Sequence, residues 1–304
     1  MSPSRSARAA VTAVAVLLFV AACGGASATP APTATPIPPT PAPTASPVPA
    51  VTRLLEVTAE GGFINPAGAI GALPTVVVDS DGRIYTAGTA ADGSSPLIPI
   101  VSVRDTGAAG AAAILAAIKA AGLDKESTGG GPGADIGTNV FTVTLDGIEI
   151  VSHISGGGMG PGGPGAPGGG VGGPGASGTP AAAAMDLLAK LQDPATTWGA
   201  TAAATATTYS PVAYRVYLAP LDATSMSLPF TPIPWPLATA PDAFGSPAAA
   251  NMGIDGLRSG VVSGADAAAF AKAVAGAQRG TSFSVGKAIW QTWIRPLLPD
   301  ELGS

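Results

Sequence analysis

Two tracts built almost entirely of proline, glycine and small residues, 26–51 and 156–178, decide where this chain can form regular structure. Proline lacks the amide that helices and sheets require, and glycine loses the most backbone freedom on ordering, so neither tract supports a core. The first reads Ala-Thr-Pro-Ala-Pro-Thr-Ala-Thr-Pro-Ile-Pro-Pro-Thr-Pro. Polyproline II rises about 3.1 Å per residue, which gives a tether of roughly 60–80 Å when extended. A ligand for a proline-binding module has the same composition, but a stalk accounts for the whole stretch, whose Ser and Thr are candidates for O-glycosylation. The second tract contains matches to G-x-G-x-x-G. A phosphate-binding turn must follow a strand and open a helix, and in so repetitive a stretch the match arises by chance; a disordered insertion is the expectation.

Ahead of the first tract lie a short basic start with Arg5 and Arg8, an apolar run from about Ala9 to Val20, and Ala21-Ala22-Cys23. The run is shorter than the roughly 18 residues of a membrane span, and Gly-Gly follows at once, so it reads as a signal peptide over 1–22. Val20-Ala21-Ala22-Cys23 resembles the bacterial lipobox. The resemblance implies cleavage before Cys23, diacylation of that residue, and an outward-facing address on a bacterial cell membrane, with 23–52 as lipidated cysteine and tether. Two acyl chains, at about 0.8 kcal/mol per buried methylene, hold a membrane stably. Cys23 is the only cysteine, so its use for lipid leaves no thiol for a disulfide, a nucleophile or a zinc site.

The remainder divides into 53–155 and 179–304. In the first part Leu55, Val57 and Ala59 alternate with polar neighbours, as in a half-buried strand. Thr75–Val78 and Arg83–Thr86 flank Asp79-Ser80-Asp81-Gly82, and Val140–Leu145 and Ile148–Ile154 flank Asp146-Gly147. Asp-Gly supplies the positive φ of tight turns, which predicts two antiparallel hairpins. Ile98–Val103, interrupted by Pro99, predicts an edge strand. A helix follows, capped by Thr106 or Asp105, with Ile114, Leu115 and Ile118 as its apolar stripe and Gly122 as its stop.

The second part opens on a helix marked by Thr179-Pro180, with Met185, Leu188 and Leu191 on its apolar side. Strands are predicted at about Val212–Leu218, Leu257–Val262, Thr281–Val285 and Ala288–Arg295. The Pro-rich passage from Pro229 to Leu237 should wrap the surface with its aromatics inward. A helix capped by Ser263, with Asp266 at the capping-box position, should bury Phe270 and Val274. The expected fold class is α+β, antiparallel sheets carrying Ala-rich helices. Val101-Ser102 and Val262-Ser263 each lead into an Ala-rich helix, a glycine and a hairpin, so the two parts are either variants of one unit or convergent products of a simple composition.

Several short stretches also resemble a group of uncharacterised exported lipoproteins of high-GC bacteria. They are Gly61-Gly62-Phe63, Leu73-Pro74, Asp81-Gly82-Arg83, Ala213-Tyr214-Arg215-Val216, Trp235-Pro236-Leu237, Val262-Ser263-Gly264-Ala265-Asp266 and, most specific, Arg295-Pro296-Leu297-Leu298-Pro299-Asp300-Glu301. The group's pattern has a cysteine before the strand at Leu257 and another after the terminal motif. Here Arg258-Ser259 and Leu302-Gly303-Ser304 hold none, so that staple is missing. No activity follows from the resemblance.

No catalytic set is complete. His153, the only histidine, has neither thiol nor second imidazole for company; a Ser-His153-Asp hydrolase is one reading and an exposed strand histidine the simpler one. Ser284-Val285-Gly286-Lys287 matches S-x-x-K but falls in a strand and turn. Gly280–Lys287 imitates a P-loop with one residue too many and Ala288 in place of the hydroxyl. Asp79, Asp81 and Asp92 are candidate calcium ligands without the twelve-residue loop. The terminal Arg295–Glu301 reads as a segment pinned to the core, or else as a docking motif.

The net charge is −5, and −7 without Arg5 and Arg8, which argues against nucleic acid as a partner. The mean hydropathy of +0.40 comes from alanine and other small residues, with no second long apolar run. Only 11% of residues are charged and 5% aromatic, few of the groups that build polar active sites. The leading expectation is a non-catalytic surface protein, anchored through Cys23, without a cofactor or metal, that meets an envelope protein or wall polymer. A solute-binding lipoprotein is the alternative, although hairpins replace the alternating strands and helices of that class.

Overall fold

The computed structural model describes residues 51–61, 69–129, 137–155, 179–200, 202–222, 228–249 and 253–302. Cys23 and the tracts 26–51 and 156–178, apart from Val51, lie outside the described residues. The described residues form one compact unit built on two sheets.

The first sheet has eight strands: β1 (Arg53–Glu60), β2 (Val76–Asp79), β3 (Arg83–Ala87), β4 (Val101–Asp105), β5 (Ser127–Gly129), β6 (Thr138–Leu145), β7 (Ile148–Ser155) and β8 (Thr207–Thr208). Their order is β5-β7-β6-β1-β2-β3-β4-β8. Both predicted hairpins form. At the β6–β7 turn Asp146 and Gly147 both have positive φ, 51° and 77°, as an Asp-Gly turn demands. The β2–β3 turn is held by close approach: a Cβ on Gly82 (φ 90°) would lie 2.2 Å from the Gly107 carbonyl oxygen. That proximity lets the Gly82 carbonyl accept from both the amide and the hydroxyl of Thr106, tying the turn to the helix that follows. The antiparallel rule has an exception in each sheet, since β5 runs parallel to β7.

Two helices cover one face of this sheet. Helix α1 (Gly107–Ala120) has Thr106 at its N-cap without a side-chain cap bond, the hydroxyl being spent on Gly82, while Asp105 Oδ1 accepts from the Gly107 amide at 3.0 Å. Gly110, Ile114 and Ile118 are buried, while Leu115 is only half-buried, so the stripe is narrower than the sequence predicts. Gly122 (φ 73°) ends the helix, its amide bonded to Lys119. Helix α2 (Pro180–Gln192) begins as predicted, Thr179 Oγ1 accepting from the Ala182 amide ahead of Pro180. Its Ala184, Leu187, Leu188 and Leu191 join Leu55, Val57, Val76, Val78, Ile84 and Phe141 in the largest core.

The C-terminal end of α2 is fastened by Arg104, which projects from β4 and is only 4% exposed. Its guanidinium donates to the carbonyl of Asp193 at 2.9 Å and to that of Leu191. Burial lowers the affinity of this arginine for its proton, and the nearby Asp193 partly offsets that loss. Arg104→Met keeps the stem and removes the donors, so the last turn of α2 loses its charge-assisted bonds. The expected cost is about 1–3 kcal/mol, read as a lower urea midpoint at unchanged slope.

The second sheet contains β9 (Ala213–Leu221), β10 (Ile233–Pro234), β11 (Ser246–Pro247), β12 (Arg258–Ser263), β13 (Phe283–Val285) and β14 (Ala288–Pro296), ordered β10-β13-β14-β9-β12-β11. Helix α3 (Ala265–Ala273) packs on it, burying Ala267 and Phe270. The predicted cap does not form. Ser263 completes the β12 ladder opposite Ala213, and Gly264 (φ 61°) takes the cap position with no side-chain bond. The Pro-rich passage is partly regular, since Ile233–Pro234 pairs with β13 in parallel. Trp235 turns inward as expected, whereas Phe230 is 40% exposed. Around Trp235 the rings of Phe283, Phe244 and Phe270 lie 4.9, 5.4 and 6.2 Å away, mostly edge to face.

Packing does not follow chain order. Leu97 and Ile98, which precede β4, enter the second core, while α2 and β8 join the first sheet. The strand–helix–hairpin order occurs in both sheets, yet three strands separate β4 from β6 and one separates β12 from β14.

Candidate functional site

The face of the first sheet opposite α1 and α2 brings together buried and half-buried ionisable side chains. Strand alternation puts Val77 and Asp79 of β2 on this face, since Val76 and Val78 belong to the helix side. Val77, Tyr85 and Val101 pack there with Leu73, Tyr209 and Leu298. Tyr85 and Tyr209 meet edge to face, ring centres 5.5 Å apart. The terminal motif is therefore pinned to the core: Leu298 is buried, and the Leu297 carbonyl accepts from the Tyr209 hydroxyl at 2.9 Å.

Ion pairs fix the motif's remaining residues. Arg295 and Glu301 form a two-pronged pair at 2.9 and 2.5 Å, and Glu301 Oε2 also accepts from the Leu298 amide at 3.0 Å. Burial alone would raise the carboxyl pKa of Glu301, but Arg295 holds it below the usual value; the arginine in turn grips its proton more tightly. Asp300 pairs with Arg53 of β1 at 2.7 Å, and Arg53 also contacts Glu56.

Asp79 lies among these groups without a cation of its own. It is fully buried, and neither carboxylate oxygen is in hydrogen-bond geometry. Burial, then repulsion from Asp300, pushes its pKa up to about 7; the Tyr85 hydroxyl and Arg53 hold back part of the rise, and Asp81 adds to it. The neighbouring phenols respond in kind. Burial and the charge of Asp79 push Tyr85 upward and push Tyr209 up to about 12. A neutral acid on Asp79 is the form this site accommodates near and below neutral pH.

The other residues singled out by sequence do not converge. Asp81 pairs with Arg83 at 3.1 Å and Asp92 accepts from the Ser94 amide at 2.9 Å, each within its own turn. Among the described residues no group of three His, Cys, Asp or Glu side chains is placed to hold a metal ion. His153 is exposed on β7, opposite Val140 and Thr128 in register. Ser284 sits in β13, its hydroxyl directed at the Ile233 carbonyl at 3.4 Å, with Lys287 in the following turn. An open groove of about 570 Å³ runs between the end of α1 and the start of α2, lined by Lys119, Thr179, Pro180 and Asp186 among others. Asp186 is engaged with Lys190 at 2.7 Å. Among the described residues no helix is long and apolar enough to cross a membrane.

Asp79 was legible only as a turn residue or a calcium ligand, because Asp79-Ser80-Asp81-Gly82 reads as polar turn chemistry. The available signal was alternation: Val77 and Asp79 share a face, and that face becomes interior only because a motif more than 200 residues later covers it. No family model, no curated protein and no solved structure matches this chain.

Proposed function

We propose that the chain is a lipid-anchored extracytoplasmic protein of a bacterial cell membrane that presents its α+β unit on a Pro-rich tether to an envelope protein or wall polymer, without catalysis of its own. The observation that carries this reading is Cys23, the sole cysteine, set directly after Val20-Ala21-Ala22 at the end of an apolar run and before the 26–51 tract. Supporting it is the order of parts: anchor, spacer, then the compact unit.

Metabolic labelling with a palmitate analogue tests the anchor. The wild type is expected to take label and sediment with membranes, and Cys23→Ala to lose both, since two acyl chains supply the binding. Equal labelling of C23A would end the proposal. Cross-linking on intact cells tests the partner class, and a thermal-shift screen with sugars, amino acids and wall fragments tests the solute-binding alternative, because selective binding to the native state raises the melting temperature.

A further inference from the structure

The space beneath segment Leu297–Leu302 holds more buried negative charge than its cations balance. Asp79 is fully buried, with the Tyr85 hydroxyl near it and neither oxygen in hydrogen-bond geometry, and Oδ1 of Asp300 is also buried without a hydrogen-bond partner. Three guanidinium groups are committed, Arg53 to Glu56 and Asp300, Arg295 to Glu301, and Arg83 to Asp81, while Arg215, opposite Arg295 in register, keeps a buried Nε without a hydrogen-bond partner. The groups facing Asp79 come from each element around it. They are Arg53 from β1, Asp81 from the turn, Tyr85 beside Arg83 from β3, and Asp300 from the covering segment. Tyr209, which follows β8, senses Asp79, Asp300 and Glu301 together.

The two sides of this space differ in how firmly they are built. Asp79 ends a central strand, paired on both edges by β1 and β3. Asp300 belongs to a single 3₁₀ turn, Pro299–Glu301, held by the Leu297 amide on the Ala213 carbonyl, the Tyr209 hydroxyl on Leu297, and the Arg53 and Arg295 pairs. A negative charge on Asp79 repels Asp300 in these buried surroundings, and the single turn yields before the central strand does. We propose that Leu297–Leu302 is a proton-controlled latch, closed over Asp79 while that carboxyl is protonated and lifted when it gives its proton to solvent. Lifting readmits water to the carboxylate and uncovers Val77, Tyr85 and Tyr209. The raised pKa of Asp79 puts the changeover near neutral pH. This inference stands on the buried cluster and is independent of the anchor at Cys23.

Hydrogen exchange of the full chain at two pH values, corrected for the base-catalysed intrinsic rate, tests it. Opening that returns Asp79 to an ordinary carboxylate value should lower the protection of peptides spanning 297–302 by up to about 30-fold between about pH 5.5 and about pH 8. Peptides from β9 should keep theirs, and D79N should hold the segment protected at both values. Unchanged protection in the wild type overturns the latch. So does loss of β9 protection in step, which would make the response that of the whole fold, or a pH response retained in D79N. Should D79N fail to fold, D300N serves: removing the repelled partner must shrink the response, and a full response in D300N overturns the proposal.

Discussion

Asparagine in place of Asp79 is expected to stabilise the fold at about pH 8 by up to about 4 kcal/mol and to change little at about pH 3.5. The sign follows from where each state holds its proton. The folded chain keeps the Asp79 proton up to about 7, whereas the unfolded chain releases it near the ordinary value of 3.8. Across that window the unfolded state binds fewer protons, so wild-type stability falls as pH rises and levels off above about 7. D79N has no proton to lose and its profile stays flat there. The full gain is a ceiling for two reasons: a segment that lifts relieves the ionised carboxylate before the whole fold pays for it, and a buried amide needs partners that this face lacks. Glu301 acts with opposite sign. Its lowered pKa supplies stability that is present above the ordinary carboxylate range and lost as pH falls toward its folded value, so the wild type should be most stable in mild acid. Urea midpoints across the pH range measure both effects, and parallel profiles for wild type and D79N would refute the assignment.

Phe270→Ala is the second large expectation, a loss of about 3–5 kcal/mol. Phe270 is fully buried, with the rings of Tyr214, Trp235 and Phe283 centred 6.1, 6.2 and 6.1 Å away. Truncation removes the packing of α3 on the second sheet and, at the same point, the support of Trp235, which carries the Pro-rich passage into the core. The neighbouring rings are held edge to face by one another, so refilling the void requires several of them to move together. The comparison is Val285→Ala at a position 42% exposed, where a change within about 0.5 kcal/mol is expected. A cost for F270A as small as that of V285A would mean that the aromatic cluster collapses to refill the space.

What could be read from sequence was whatever depends on near neighbours. Asp-Gly turns need positive φ whatever surrounds them, and both hairpins stand where Asp81-Gly82 and Asp146-Gly147 put them. Thr179-Pro180 starts α2, and Gly122 stops α1, for equally local reasons. The α+β class followed from these pieces. Of the strands of two or three residues only β13 was legible, through the hairpin it forms with β14; β5, β8, β10 and β11 carry no period to detect and exist because a neighbouring strand offers an open edge. Ser263 lost its expected role because a ladder partner, Ala213, competes for it from 50 residues away. The burial of Asp79 has the same origin at longer range, for nothing near it in sequence announces that Leu298 will cover it.

Arg53, in the first described strand, is paired with Asp300 near the last described residues, and β1 lies between β2 and β6. During synthesis, therefore, the earliest strand emerges from the ribosome long before the residues that seal its sheet. Helices α1 and α3 can form locally, but the face bearing Val77, Tyr85 and Asp79 stays wet until some 240 further residues have followed Arg53 out. Covering of this face therefore waits on residues far along the chain, and a chain ending before Leu298 would leave the site of a buried carboxylate open to water.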